Sequence, residues 1–473
     1  MKTKNIDDLP TPCYIVDEAL LEKNLITLQG VRERTGAKIL LAQKAFSMYA
    51  LYPLIGEYLD GATASGLYEA RLGAEEMAVP LKARGISCEN HIFSPAYREE
   101  EFEEILRRCD HIVFNSWAQV RKFGERAKRA GKSIGLRINP ECSTQAGHAI
   151  YDPCAPGSRL GVTAGSFGGE PELLSMLDGL HFHTLCEQNS DDLEKTLDAV
   201  EEKFGCYLEG MKWINFGGGH HITRVNYDIP RLERCIGRMQ EKYGLTVYLE
   251  PGEAVALNAG FLVTKVLETW RTEIPVEARD DGTEGGAGLP GGKEAEAGGA
   301  GFPGGKETET GDVGLPGAKE AETGGAGFPG GNEAETGGAG LPGGKEAVQV
   351  TGKAGEPLRL AILDASAACH MPDVLEMPYR PPLLKSGLPG EKKFTYRLGG
   401  PTCLAGDIIG DYSFDRPLAE GDRLVFEDMA IYSMVKNNTF NGMPLPAIVL
   451  REKSGEYRMV KRFGYEDFRN RLS

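Results

Sequence analysis

The chain has 473 residues, 26% of them charged, and a formal net charge of −16. This length exceeds what one compact core organises, so we expect two domains plus additional segments. The negative charge argues against nucleic acid and anionic membrane surfaces as partners, and it suits a small cationic substrate.

The first 250 residues alternate between short apolar runs and charged amphipathic segments. A strand over residues 11–16 precedes a helix over 18–34. Eight strand-like runs follow, with helical patterns in most gaps. Eight strands alternating with helices predict a (β/α)8 barrel; a doubly wound open sheet is the alternative, but no glycine-rich fingerprint follows the first strand. The eight runs are 39–43, 61–65, 91–94, 111–115, 133–139, 180–185, 213–217 and 247–250, and the helical patterns are 99–108, 117–130, 192–204 and 230–243.

From residue 260 onward the pattern changes to strands with a period of two. Examples are residues 261–267, 358–363, 423–426 and 457–462. We therefore predict an α/β protein with a barrel over 20–258 and a C-terminal β-rich domain. The β domain is formed by 259–473 together with 1–19, so that the strand near Tyr14 joins it.

A low-complexity segment with a 13-residue repeat interrupts the β domain. Glycine does not recur at every third position of this repeat, which excludes collagen. With few apolar residues, the segment cannot offset the entropy cost of ordering. We predict a disordered Gly/Pro/Glu insertion over 279–352; a binding or spacing tract is the functional alternative. Its prolines are Pro290, Pro303, Pro316, Pro329 and Pro342.

Ten cysteines are scattered without a C-x-x-C pair or a metal-like spacing. The N-terminus has no apolar secretory region, so we expect free thiols in a reducing compartment and no metal site. No apolar run reaches membrane-spanning length. These features predict a cytoplasmic protein without a membrane partner.

Reactive side chains fall at the carboxyl ends of the predicted strands, where barrel active sites lie. The first strand ends at Lys44. Partial desolvation there favours the neutral amine, a nucleophile for carbonyl groups; a surface lysine is the alternative. The fifth strand carries Arg137. The sixth gives His181 and His183, for which a role in the core is the alternative.

Two further strand ends complete this set. Gly217, Gly218 and Gly219 follow the seventh strand, where glycines let backbone N–H groups approach a phosphate, although a triplet also forms tight turns. Glu250 ends the eighth strand and could keep a ring nitrogen protonated. A nucleophilic lysine, a partner for a planar ring and a phosphate cradle together indicate pyridoxal phosphate (PLP).

The same stretches resemble the fold-type III PLP-dependent decarboxylases, whose alanine racemase-like barrels include ornithine and diaminopimelate decarboxylases. The nearer resemblance is to the carboxynorspermidine/carboxyspermidine decarboxylases. It extends over nearly the whole chain except the repeat insertion. It rests on 41–48, 181–184, 217–221 and 250–254 in the barrel, and on 363–366, 370–381, 400–407, Tyr432 and 440–442 in the β domain.

The resemblance implies roles for several cofactor-binding residues. Lys44 would bind the cofactor covalently, His183 would stack on its ring, and Glu250 would pair with the pyridine nitrogen. The phosphate would be held by three groups: Gly218, Gly219 and the hydroxyl of Tyr432.

The resemblance also implies a homodimer with shared active sites. Cys403 would come from the other subunit as the acid that protonates carbon after CO2 leaves, while Asp407 and Asp373 would contact substrate amines. The implied reaction converts carboxynorspermidine or carboxyspermidine to norspermidine or spermidine in polyamine biosynthesis. The alternatives are decarboxylation of diaminopimelate or another basic amino acid, racemisation, and a non-catalytic PLP-binding homeostasis protein.

One position departs from the family pattern. Ornithine and diaminopimelate enzymes read Glu-Pro-Gly-Arg after the eighth strand, whereas this chain has Glu253 in place of the arginine. An arginine suits an anion and a carboxylate suits an ammonium group. Glu253 and Asp373 therefore favour a long polycationic substrate over diaminopimelate. Another group must then make whichever phosphate contact the arginine normally makes.

Overall fold

The computed structural model describes residues 2–145, 152–168, 170–273 and 357–473. The predicted insertion over 279–352 lies outside these residues.

Eight parallel strands close into a barrel. Each strand pairs with the next, and the eighth pairs with the first through Leu249 and Ile39. This closure confirms the predicted (β/α)8 barrel and excludes the open sheet. We number the strands first to eighth: Lys38–Ala42, Gly61–Ala64, Glu89–Phe93, His111–Phe114, Ser133–Asn139, Gly179–His181, Trp213–Asn215 and Thr246–Leu249.

Helices connect the barrel strands, and their buried faces pack on the barrel wall. The helix Glu18–Thr35 shows how local sequence sets such an element. Asp17 caps its N-terminus by accepting hydrogen bonds from two backbone N–H groups, and Gly36, at φ +69°, ends it in the left-handed conformation. The other helices of five or more residues around the barrel are Tyr52–Tyr58, Leu67–Gly73, the π-helix Ala74–Ala78, Val79–Ala83, Glu99–Arg108, Trp117–Arg129, Ser190–Leu208 and Ile229–Tyr243.

A second, mixed sheet forms the β-rich domain. The strand Cys13–Asp17 lies between Gly260–Glu273 and Ala447–Arg451, so the N-terminal strand is part of this sheet. Gly260–Glu273 also pairs with Pro357–Leu363 in an antiparallel register in which residue 273 lies opposite residue 357. The remaining strands are Lys2–Thr3, Phe394–Gly399, Ile408–Phe414, Arg423–Glu427 and Tyr457–Lys461.

The sheet domain reaches the barrel mouth through the segment that follows the strand Arg423–Glu427. Met434 packs against the apolar cores of both the barrel and the sheet. The backbone N–H of Tyr432 donates to the carbonyl of Ala45, next to Lys44, at 2.9 Å. One loop of the sheet domain is thereby fixed beside the barrel's carboxyl end.

In the part of the chain that the structure describes, none of the helices combines the length and the apolar character that crossing a membrane requires.

Candidate active site

Lys44 lies in the turn that follows the first barrel strand. Its Nζ is 3.2 Å from Nε2 of His183. Burial and the neighbouring charge of Arg137 lower the pKa of Lys44, against the opposing effect of Glu250 and Glu253. Burial and Arg137 therefore favour the neutral amine of Lys44, which is the nucleophilic form.

His183 follows the sixth strand and links Lys44 to the glycine loop. Its Nδ1 lies 2.9 Å from the backbone nitrogen of Gly218, and Arg137 donates to its backbone carbonyl at 3.0 Å. Burial and Lys44 hold the pKa of His183 well below its usual range, so the ring is neutral. Nδ1 also lies 3.0 Å from the carbonyl oxygen of Gly218, so both backbone groups of Gly218 hold the ring in place while Nε2 faces the amine of Lys44.

Glu250 follows the eighth strand and is buried. Asn215 donates to its Oε1 at 2.9 Å, and Nε2 of His181 lies 3.3 Å from its Oε2. Burial opposes ionisation, but these partners lower the pKa of Glu250 to about 2. An ionised carboxylate in this position requires a cationic partner, and a protonated pyridine nitrogen meets that requirement.

Arg137 supplies a fixed positive charge beneath this cluster. Its guanidinium lies over the ring of Phe93 with its carbon 4.6 Å from the ring centroid. Burial lowers the pKa of Arg137 to about 10, so the side chain stays protonated at neutral pH. This charge favours both the neutral amine of Lys44 and the ionised form of Glu250.

The glycine triplet is required by close backbone approaches. A Cβ at Gly217, Gly218 or Gly219 would lie 2.5, 2.6 or 2.0 Å from a backbone carbonyl oxygen. The N–H groups of Gly217 and Gly218 already donate to Asn215 and His183. The N–H groups of Gly219 and His220 have no acceptor within the described residues. An anion at this loop would therefore meet the later part of the triplet.

A buried ion pair lies beside the loop. Nε2 of His221 is 2.9 Å from Oε2 of Glu253. Burial lowers the pKa of an imidazole, but the carboxylate of Glu253 outweighs it and raises the pKa of His221. Glu187 completes the cluster, because its carboxylate lies within 4.8 Å of the facing atoms of both residues. Burial and Glu253 raise the pKa of Glu187 to about 7.

Sequence reasoning missed this cluster. Glu187 and His221 lie on two barrel loops, and Asp428, whose pKa burial raises to about 6, comes from the sheet domain. No spacing rule connects three segments so far apart. The positive φ of Glu187, +56°, marks an unusual conformation, but it is visible only in the structure.

Two predicted residues of the sheet domain lie close to the barrel mouth. Burial and Glu253 raise the pKa of Tyr432 well above its usual range, so its hydroxyl stays protonated as a donor. Asp373 forms an ion pair with Lys436, whose Nζ lies 5.5 Å from the centroid of the Tyr432 ring. Lys436 also pairs with Glu376 at 2.8 Å.

Cys403 and Asp407 make no contact with the Lys44 cluster in the described part of one chain. Cys403 is exposed, and its backbone N–H donates to Asn441 at 2.6 Å. Asp407 is buried and accepts hydrogen bonds from Ser366 at 3.0 Å and from Thr402 at 2.6 Å. Within one chain, Asp407 therefore holds the loop that carries Cys403.

The described residues fit PLP. The neutral amine of Lys44 suits an aldehyde, the neutral ring of His183 suits stacking, and the ionised Glu250 suits a pyridinium. The glycine loop packs too closely on neighbouring backbone to accept side chains, and it offers the unpaired N–H groups of Gly219 and His220 to an anion.

Comparisons with known proteins show which family the chain resembles. Residues 346–430 match a family model described as the C-terminal sheet domain of pyridoxal-dependent decarboxylases. The chain is 36% identical to the carboxynorspermidine/carboxyspermidine decarboxylase of Campylobacter jejuni, over 98% of each chain. It is 34% identical to the carboxyaminopropylagmatine decarboxylase of Synechocystis, over 100% of this chain and 98% of that protein.

Solved structures show the same relationship. The carboxynorspermidine decarboxylase of Campylobacter jejuni, complexed with norspermidine, superposes with a TM-score of 0.72 at 35% identity, covering 98% of this chain and 100% of that one. The diaminopimelate decarboxylase of Helicobacter pylori, complexed with L-lysine, gives 0.66 at 15% identity, covering 98% and 97%. The second match supports the fold alone.

Proposed function

Since the chain belongs to the family of carboxynorspermidine/carboxyspermidine decarboxylases, which are PLP-dependent lyases, we propose that it releases CO2 from a carboxylated polyamine in polyamine biosynthesis. The observation that carries this proposal is the buried Lys44 amine, 3.2 Å from a neutral His183 and held beside an ionised Glu250. Bound at Lys44, PLP supplies an acceptor for the electron pair that remains when CO2 departs.

The chain's own residues position that chemistry. We assign Lys44 as the covalent attachment point, His183 as the residue that stacks on the ring and Glu250 as the partner of the pyridine nitrogen. We assign the phosphate to Gly218, Gly219 and Tyr432. Because Gly218 already donates to His183, its proposed contribution is to orient that ring and to let the loop pack closely on the backbone of Glu250.

Two residues hold Glu250 in its charged state. Asn215 and His181 donate to the two carboxylate oxygens, which keeps Glu250 ionised despite its burial. The negative charge of Glu250 would favour the protonated form of a pyridine nitrogen beside it, and a protonated ring is the better electron acceptor.

A cationic substrate suits the acidic groups at the barrel mouth. We propose that Asp373 and Glu253 contact amines of the substrate, and that Asp407 does so in the assembled dimer. A second substrate carboxylate, as in diaminopimelate, would face Glu253 and Glu187, which disfavours that alternative.

We further propose a cytoplasmic homodimer with shared active sites. The exposed position of Cys403, apart from Lys44 in its own chain, agrees with a role in the partner's site. There its thiol would donate the proton to the carbon that has lost CO2.

A second candidate substrate is carboxyaminopropylagmatine. The 34% identity with the Synechocystis decarboxylase extends over the whole of this chain and is nearly as high as that with the Campylobacter enzyme. Its name indicates a guanidinium at one end of the substrate, and a guanidinium binds carboxylates well through paired hydrogen bonds.

The test is CO2 release by the purified protein with PLP. Carboxynorspermidine, carboxyspermidine, carboxyaminopropylagmatine, diaminopimelate and ornithine are compared by kcat/KM. Turnover of the first two above the others supports the proposal, and a preference for the third supports the second candidate. Preference for diaminopimelate contradicts the substrate assignment, and no release from any compound contradicts the enzyme assignment.

A further inference from the structure

We propose that the imidazolium of His221, held by Glu253, is the cation that binds the phosphate group of PLP. The proposal rests on the proposed function, because it assumes that PLP occupies the barrel mouth. It gives Glu253 a second role, which is to position the side chain that contacts the cofactor.

A phosphate at the glycine loop needs a cation. A phosphate monoester carries a charge of roughly −1.5 to −2 at neutral pH. The N–H groups of Gly219 and His220, which have no acceptor within the described residues, are available to a phosphate, but the carboxylates of Glu253, Glu187 and Asp428 surround the nearby His221. If backbone N–H groups were its only partners, the buried phosphate would be repelled by these carboxylates with no cation to compensate.

Most cations of the barrel mouth are already engaged. Lys44 is the covalent attachment point, Arg137 donates to the carbonyl of His183, and Lys436 pairs with Asp373 and Glu376. Among the described residues beside the glycine loop, the remaining candidates for the cation are His220 and His221, which follow the triplet, and Arg224.

The two adjacent histidines differ in charge. Nε2 of His220 lies 3.4 Å from the carbonyl oxygen of Phe216, and burial lowers the pKa of His220 to about 4, which makes it neutral. His221 instead faces Glu253 at 2.9 Å, and this carboxylate raises the pKa of His221 and so favours its protonated form.

The geometry of His221 leaves one donor available. Nε2 is used by Glu253, whereas Nδ1 makes no hydrogen bond within the described residues. A protonated ring therefore presents an Nδ1–H group two residues beyond Gly219. Arg224 is the competing cation, with Nη1 3.3 Å from the carbonyl oxygen of Glu187 and a buried Nε that has no partner.

The contribution of the phosphate can be measured separately from catalysis. Apoprotein is titrated with PLP and with pyridoxal, which lacks the phosphate, and the ratio of the two dissociation constants isolates the phosphate contacts. His221→Gln should reduce the preference for PLP by about tenfold or more, since a charged hydrogen bond is lost. Affinity for pyridoxal should stay within about twofold of the wild type.

Two variants are matched controls. His220→Gln removes the neighbouring neutral imidazole and should leave the preference for PLP unchanged. Arg224→Gln tests the competing cation. If Arg224→Gln loses the preference for PLP and His221→Gln keeps it, the proposal is overturned. It is also overturned if His221→Gln weakens the affinity for PLP and for pyridoxal equally.

A pH titration decides the question even if His221→Gln does not fold. The groups that face His221 are Glu253, Glu187, Asp428 and Arg224. Because the pKa of His221 is raised, the preference for PLP should be present below that raised value and fall as the pH rises through it. Glu253→Gln should move this fall to lower pH, and an unchanged midpoint overturns the proposal.

The outcomes separate this proposal from the proposed function. Wild-type protein that does not bind PLP stoichiometrically contradicts the proposed function. Tight PLP binding with a preference over pyridoxal that is insensitive to His221 contradicts only the role of His221.

Discussion

Lys38 and Lys44 lie at opposite ends of the first barrel strand, in different electrostatic surroundings. Lys38 is about one-third exposed and pairs with Asp60 at 3.2 Å, as a surface lysine does. Lys44 has no carboxylate partner at that distance and faces His183 and Arg137 instead. The same side chain therefore forms an ion pair at one end, whereas at the other it is buried beside a cation, which favours its neutral amine.

This contrast gives a direct test. Lys44→Ala should abolish turnover and the visible absorbance of the bound cofactor, because the covalent attachment point is lost. Lys38→Ala, the matched control on the same strand, should retain both. Turnover by Lys44→Ala would contradict its assignment as the attachment point.

Lys436 occupies the position beside Asp373 at which we propose that a substrate amine binds. Burial raises the pKa of Asp373, and the contact with Lys436 opposes that effect. A substrate ammonium would have to replace Lys436 or bind beside it. Lys436 thus marks the position where a cation is stabilised.

Asp373→Asn should raise KM for a polyamine substrate by about 10- to 100-fold with little change in kcat, because a charged hydrogen bond is worth roughly 1.5–3 kcal/mol. Steady-state kinetics measure this. Glu376→Gln, at the more exposed partner of Lys436, is the control and should change KM less. Equal increases of KM in the two variants would indicate a general effect of negative charge and would contradict a direct contact of Asp373 with the substrate.

At the scale of elements, the glycine loop is the most constrained connection of the site. Gly219 has φ +82°, and a Cβ there would lie 2.0 Å from the carbonyl oxygen of Leu185. Gly219→Ala should destabilise the protein by on the order of 3 kcal/mol and weaken PLP binding. Gly210→Ala, where a Cβ would meet nothing within 4 Å, should do neither. Thermal unfolding and PLP titration measure both effects.

The barrel could be predicted because its strands are apolar on both faces. All eight strands lie within a few residues of the predicted positions, and Ser133–Asn139 matches at both ends. The sixth and seventh strands end earlier than predicted, at His181 and Asn215, because the chain turns there toward the active site. Short helices such as Tyr52–Tyr58 were missed, since seven residues show too little periodicity.

The β domain was less predictable. The strands Phe394–Gly399, Ile408–Phe414 and Ala447–Arg451 were not identified from the sequence. Ile408–Phe414 is buried along most of its length yet contains glycine, aspartate and serine, so it lacks a clear period-two pattern. Among site residues, Lys44, His183 and Glu250 follow strands and could be located. The pair of His221 with Glu253 depends on how two loops pack, so it could not be located from the sequence.

At the scale of the whole molecule, the position of Cys403 raises the question of whether it acts in its own subunit or in the active site of a partner subunit. It is exposed and belongs to the sheet domain, whereas Lys44 lies in the barrel. If each site takes Cys403 from the partner subunit, two inactive variants should complement each other. A role within one chain predicts no complementation.

Mixing Lys44→Ala with Cys403→Ala under conditions of subunit exchange should restore about a quarter of the wild-type sites, because half of the dimers are mixed and one of their two sites is intact. Cys403→Ala alone should slow protonation of the product while retaining bound PLP. CO2 release and PLP absorbance measure these outcomes. Loss of cofactor from Cys403→Ala would indicate a structural cysteine.

Removal of residues 285–347 tests the interpretation of the repeat as an inert insertion. The flanking strands Gly260–Glu273 and Pro357–Leu363 pair with each other, so a shorter connection can still join them. Activity and thermal stability should be retained, because closure entropy depends only weakly on loop length. A large loss of activity would show that the repeat contributes to function.

The pairing of residue 273 with residue 357 has a consequence for how this gene can change. The sheet fixes where the chain leaves and where it returns, and neither position depends on what lies between them. Each 13-residue unit corresponds to a whole number of codons, so slippage during replication that adds or removes units preserves the reading frame. We therefore expect that, if the deletion leaves activity intact, the copy number of the repeat can change between generations while the register of the sheet stays the same.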